Sequence, residues 1–310
     1  MSYSDFMTRT ASPYITARRT VRELVMRDGN NLYGESYSAE NARGTVFILH
    51  GFTENAAKYS EVIYRFLCEN FCVFIYEQRG HGRSYRAVAD KTLTHIDRFE
   101  EYVEDLETVL EQAADMPKPY FLFSHSMGGA VSALFMQKHP GVFGKAVMSS
   151  PMIAPTHGDM PLFIPKLICR FCILTGRKRK RIFIAPKYPG KEDFASSCAT
   201  CEEKFAYYEE IKRNCEDFHN YSPTYGWLLQ SLCVTKKILK KGAPERIDAP
   251  VLIFSAELDN AVLNDKQKEF ADRLKNCRLE FIKGVKHELF LSPDEVTAPY
   301  FKQITDFFKA

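Results

Sequence analysis

A chain of 310 residues, 45% hydrophobic and 26% charged, has an ordinary soluble, globular composition and the length for one large α/β domain or two modest ones. Its net charge of +3 is too small to argue for nucleic acid, and no apolar run approaches the roughly 18 residues that span a bilayer. The opening MSYSDFMTRTASPY lacks the apolar core of a secretory signal. A cytoplasmic protein is therefore expected, with peripheral contact at the inner membrane surface left open.

The first dozen residues read as a loose tail. Val21–Arg27 and Leu32–Tyr37 then form two strand-like runs around Asp28-Gly29-Asn30-Asn31, the pattern of a hairpin. Gly44–His50 is a continuous apolar run suited to a strand buried on both faces. A helix over Tyr59–Asn70 and a strand over Phe71–Tyr76 follow. The segment Arg98–Ala113 keeps Phe99, Tyr102, Val103, Leu106, Val109 and Leu110 at helical spacing, with acidic residues opposite.

Tyr120–Ser124 is strand-like and runs into Ser124-His125-Ser126-Met127-Gly128-Gly129, after which a helical pattern continues to Lys138. Strand, tight turn and helix in that order hold a serine hydroxyl out at the carboxyl edge of a sheet, above a helix N-terminus that favours negative charge. Ser126 is thus the candidate nucleophile. A bare S-x-S-x-G does not separate chemistry from a structural turn, so the assignment depends on partners elsewhere in the chain.

After a strand at Lys145–Ser150 the strand and helix rhythm is lost from Pro151 to about Glu245, where helices are expected at Leu162–Leu174, Glu202–Cys215 and Tyr225–Lys240. The rhythm returns with a strand at Pro250–Ser255, a helix at Asp265–Leu274, a strand at Arg278–Ile282 and a helix at Asp294–Lys309. The simplest account is a discontinuous core, 1–150 and 246–310, interrupted by a helical cap at 151–245. This insertion is basic, with 16 Lys and Arg against 10 Asp and Glu.

If Ser126 is a nucleophile on such an elbow, an acid and then a histidine are expected downstream, each in a loop after a late strand. Asp259, past the Pro250–Ser255 strand, and His287, past Arg278–Ile282, fall where required. His287 would act as general base and Asp259 would orient it. Glu257, two residues before Asp259, is the competing acid, and Glu288 is expected to point away. Backbone donors for an oxyanion come from Met127, after the serine, and from the loop His50-Gly51-Phe52-Thr53, with Phe52 as the donor. His50 and His125 read as structural.

His50-Gly51 with Glu54 and Tyr59, the run Arg79-Gly80-His81-Gly82-Arg83-Ser84, the elbow His125–Gly129 and the late Asp259 and His287 together resemble the serine α/β-hydrolases of the monoacylglycerol lipase and bacterial lysophospholipase branch. The resemblance runs from Val21 onward and extends to Ser149-Ser150-Pro151 and Tyr225-Gly226-Trp227-Leu228. It implies an α/β-hydrolase fold: a mostly parallel eight-stranded sheet with helices on both faces, an inserted cap, and no metal or organic cofactor. Two departures stand out, Ser124 at the first elbow position and Glu77-Gln78 ahead of Arg79-Gly80.

The substrate expected from this resemblance is a single-chain lipid ester, a lysophospholipid or monoacylglycerol, cleaved through an acyl-enzyme on Ser126. The apolar segment Leu162–Leu174 supplies Phe163 and Leu167 as candidate pocket residues, and Trp227 is a third. Arg177–Arg181 beside that segment suits anionic lipid. Cys169-x-x-Cys172 and Cys198-x-x-Cys201 have zinc-like spacing, yet the first pair shares one helix face of an apolar run and reads as core filler. Two alternatives remain: a proline iminopeptidase-like peptidase, which calls for acidic groups where this cap is basic, and a hydrolase fold reused for binding.

Overall fold

The computed structural model describes residues 2–158 and 160–310. Its main sheet has the order β1-β2-β4-β3-β6-β7-β9-β10. The strands are β1 (Arg19–Val25), β2 (Asn31–Tyr37), β3 (Thr45–Leu49), β4 (Cys72–Tyr76), β6 (Tyr120–His125), β7 (Lys145–Ser149), β9 (Val251–Ala256) and β10 (Cys277–Ile282). The hairpin β1–β2 and the β2–β4 pair are antiparallel, and every other pairing in this sheet is parallel. The short strands β5 (Leu93–Thr94) and β8 (Ser222–Pro223) pair separately.

Alternation along the central strands builds two cores. Phe47 and Leu49 of β3 and Leu122 of β6 face one cluster, while Val46, Ile48 and Phe123 face another. Both clusters are closed by helices, which is why these strands read as continuous apolar runs rather than alternating ones. Helices α3 (Ser60–Cys68) and α10 (Asp294–Lys309) cover the second cluster, and α4 (Glu100–Gln112) and α5 (Met127–Lys138) the first. Helix α9 (Asn264–Asp272) packs beside β9 and β10.

The amino-terminal residues differ from the loose tail expected. Helices α1 (Tyr3–Phe6) and α2 (Ser12–Thr16), joined by a π-helical turn at Met7–Ala11, bury Met7, Ala11 and Ile15. The reason is tertiary: the Tyr3 ring meets Tyr207 edge-on at 5.6 Å, and its amide donates to Glu203. Too few apolar residues are present for periodicity to reveal a helix that is stabilised by packing.

Between β7 and β9 lie α6 (Phe163–Leu174), α7 (Glu202–Arg213) and α8 (Tyr225–Ile238). The segment holding them is tied to the stretch between β4 and α4 through β5–β8 pairing and through Asn220, whose amide donates to Gly80 O at 2.9 Å and Thr94 Oγ1 at 2.8 Å. Arg86 reaches Asp217 O and Asn220 Oδ1, both at 2.7 Å. No helix among the described residues is long and apolar enough to cross a membrane.

Candidate active site

Ser126 stands between β6 and α5 with φ 50° and ψ −117°. A non-glycine residue in that region costs roughly 1–3 kcal/mol and persists only where its surroundings enforce it. The enforcement is visible: the Ser126 amide donates to Ser149 O, and its carbonyl accepts from Gly129 and Met152. Two glycines let the helix approach. A Cβ on Gly128 would lie 2.1 Å from Leu49 O, and one on Gly129 would lie 2.4 Å from Pro151 Cβ. Ser124, the departure at the first elbow position, is fully buried and its hydroxyl points to Val147 O at 3.4 Å, so the small hydroxyl fits where the backbones crowd.

His287 Nδ1 lies 2.7 Å from Asp259 Oδ2. The carboxylate can only accept, so Nδ1 carries the proton and Nε2 is left as the basic nitrogen. Asp259 Oδ1 accepts from the amides of Ala261 and Val262 at 2.9 and 3.1 Å. Burial works to raise the Asp259 pKa, but the His287 bond and charge together with these two amides outweigh it, and the carboxyl sits below its ordinary value. Glu257 is drawn elsewhere: it accepts the Gly284 amide at 2.8 Å and so pins the turn before His287.

The imidazole of His287 lies 4.7 Å, centroid to centroid, from that of His125, the residue preceding Ser126. The structure therefore brings the serine elbow and the histidine–aspartate pair to one edge of the sheet, with Ser126 8% and His287 4% exposed. His125 Nδ1 bonds Ser149 O at 3.1 Å, and burial pushes its pKa down to about 3. It is a neutral ring in the wall.

The loop after β3 is held by reciprocal bonds. His50 Nε2 accepts the Gln78 amide at 2.8 Å, so its Nδ1 donates to Gly51 O at 2.7 Å, and the Gln78 side chain donates to His50 O at 2.6 Å. Glu77 takes the Arg83 amide at 2.6 Å and its guanidinium at 2.8 Å. The unusual Glu77-Gln78 pair thus pins both this loop and the one after β4. Glu54 Oε2 accepts from Gly51 at 2.5 Å and from the Tyr59 hydroxyl at 2.6 Å, engaging the neighbour of Phe52 rather than Phe52 itself. Met127 opens α5, where the first amides have no intrahelical acceptor.

Of the three candidate pocket residues, Trp227 alone approaches this region. Its ring lies 3.9 Å from that of Phe52, and Nε1 donates to the Tyr102 hydroxyl at 3.2 Å. Phe163 and Leu167 do not wall a closed pocket; they are 67% and 62% exposed. Helix α6 turns Cys169 and Cys172 toward Tyr225 and Ile182 instead, and with an apolar residue at nearly every position one face must remain outside. Sequence reasoning missed Lys58, whose ammonium meets Glu54 at 2.9 Å and Glu288 at 2.5 Å. The i, i+4 spacing of Glu54 and Lys58 was the available signal.

Comparison with known proteins agrees with this architecture. The model of a family described as serine aminopeptidase, S33, matches residues 40–294. Lysophospholipase L2 of Escherichia coli is 29% identical over 284 residues, covering 88% of this chain and 82% of that protein. Monoacylglycerol lipase of Mycolicibacterium smegmatis is 25% identical over 260 residues, covering 82% and 84%. In structure, the monoacylglycerol lipase of Paleococcus ferrophilus superposes with a TM-score of 0.71 at 20% identity, covering 89% of this chain and 98% of that one. At that identity the likeness speaks for the fold.

Proposed function

The chain belongs to the S33 serine aminopeptidase family, and from that premise we propose that it is a serine carboxylic-ester hydrolase acting on single-chain lipid esters, a lysophospholipid or a monoacylglycerol. Ser126 attacks the ester carbonyl while His287 Nε2 takes its proton. Asp259 stabilises the imidazolium that forms. The amides of Phe52 and Met127 receive the developing oxyanion. Collapse expels the alcohol, protonated by His287, and leaves an acyl-enzyme; a water activated by the same nitrogen then releases the fatty acid. The observation that carries this reading is the 2.7 Å bond between His287 and Asp259 beside the strained Ser126 elbow. Relatives named for lysophospholipid and monoacylglycerol cleavage supply the substrate class.

Purified protein is offered lysophosphatidylcholine, monoacylglycerol and short-chain p-nitrophenyl esters. Release from at least one, lost in Ser126→Ala, is expected; no Ser126-dependent release from any of them sinks the proposal. The family description favours a second reading, an aminopeptidase. Such an enzyme needs a free carboxylate for the substrate ammonium, whereas Glu54 and Glu288, flanking the oxyanion loop and His287, are both paired with Lys58. Turnover of aminoacyl-naphthylamides in preference to esters would reverse the ranking. A binding role without catalysis predicts no fluorophosphonate labelling of Ser126.

Residues 151–245 act as the cap, and its α6 face is the part suited to peripheral contact with an anionic membrane. Phe163, Leu167, Phe171 and Leu174 are 62–86% exposed. Residues 161–191 hold nine Lys and Arg and no Asp or Glu. Apolar side chains flanked by cations match an interface of acyl chains under anionic head groups. Co-sedimentation with phosphatidylglycerol vesicles, weakened by Phe171→Ser and absent with phosphatidylcholine alone, is the expected result.

A further inference from the structure

We propose that Lys58 is a positioning residue that clamps the oxyanion loop to the loop carrying the general base. The inference rests on the serine-hydrolase reading above and adds to it a part that neither fold nor triad requires. Lys58 contacts one carboxylate from each loop: Glu54 at 2.9 Å and Glu288 at 2.5 Å. All three side chains are withdrawn from solvent, at 8%, 4% and 14% exposure. Each carboxylate lies within three residues of a reacting group. Glu54 holds the Gly51 amide, next to Phe52, and Glu288 directly follows His287.

The junction has a third arm. The Glu288 amide donates to Cys198 O at 3.0 Å, the Lys58 ammonium lies 5.3 Å from the ring of Tyr208 in α7, and the Tyr208 hydroxyl accepts from Asn55 at 2.8 Å. Without the ammonium, two carboxylates face each other in a low-dielectric interior and drive the loops apart. Catalysis by preorganised donors is sensitive to such movement, because a displacement of about 1 Å costs on the order of 10²-fold in rate. An interaction that acts only through this preorganisation lowers kcat and leaves ground-state binding largely unchanged.

The test compares Lys58→Met, Lys58→Arg and Glu288→Gln with wild type, on p-nitrophenyl butyrate, after titrating competent sites with a fluorophosphonate. Lys58→Met is expected to lower kcat per labelled site by about 10²-fold while KM stays within about threefold. Lys58→Arg should recover at least about tenfold of that loss. Glu288→Gln, which keeps a hydrogen bond to the ammonium and loses only the charge, should lose less, about tenfold, and it carries the test if Lys58→Met does not fold. A merely structural lysine would reduce the number of labelled sites with normal kcat per site, and that outcome overturns the proposal. So does a change confined to KM, which marks a substrate contact instead. Failure of wild type to label at Ser126 defeats the hydrolase reading and the clamp with it, whereas normal labelling with unchanged kcat in all three variants defeats the clamp alone.

Discussion

The strand Tyr120–His125 and the helix Phe163–Leu174 are both nearly continuous apolar runs, and the protein treats them in opposite ways. Every residue of the strand is buried, whereas in the helix only Cys169 and Cys172 are. The strand lies in the middle of the sheet, with β3 on one side and β7 on the other, and helices cover both of its faces. The helix packs against α8 along one stripe, and its remaining apolar surface meets solvent. Apolarity makes burial favourable but does not supply a partner. Where the chain provides no cover the apolar face stays exposed, and that exposure is what motivates the membrane contact proposed above.

That contrast can be broken at several points. If the buried sheet edge holds the chemistry, Asp259→Asn should leave the fold intact and lower kcat by about 10⁴-fold, because an amide favours the wrong imidazole tautomer; ester hydrolysis kinetics check this, and a loss under tenfold would separate Asp259 from the reaction. Next in size, Leu122→Ala in the central strand removes a fully buried side chain and should cost about 2–5 kcal/mol in urea unfolding.

Acid should reach the same buried region. His125 is pushed down to about 3 by burial, and His50 and His81 are also lowered, again by burial. Between each folded pKa and the unfolded value of about 6.5, the unfolded chain binds more protons, so stability falls as pH drops through that window. For His125 the loss is about 1.4 kcal/mol at one unit below the unfolded value. Urea midpoints measured from pH 7.5 to 5.5 should decline; a flat profile would contradict neutral buried rings. Smallest of all, Phe171→Ser on the exposed helix should change stability by no more than about 0.5 kcal/mol. A cost near that of Leu122→Ala would show that the α6 face is covered in the free protein.

Much of the site was legible because its residues obey local rules. The elbow needs small residues around Ser126, and the resemblance to the serine α/β-hydrolases calls for an acid and a histidine after late strands, so a linear reading offers Asp259 and His287 as candidates. Spacing alone left Glu257 open beside Asp259; in the structure the Glu257 carboxylate takes the Gly284 amide while Asp259 meets His287. Phe163 and Leu167 illustrate the reverse, since periodicity cannot say which face of an all-apolar helix is turned inward. Lys58 escaped because its two partners lie 4 and 230 positions away.

The amino-acid pattern alone carried the alternation of strand and helix and the tight turn at Ser126, because each follows from backbone sterics or from burial local to one element, whereas the order of the candidate triad came from the resemblance to the serine α/β-hydrolases. Tertiary contacts alone fold the amino-terminal residues into helices, set Glu77 and Gln78 against the loops beneath the candidate site, stack Trp227 on Phe52 and place Lys58 between Glu54 and Glu288. Those features depend on which distant groups meet in a low-dielectric interior, where pairing governs charge and hydrogen bonding, and no local pattern encodes that meeting.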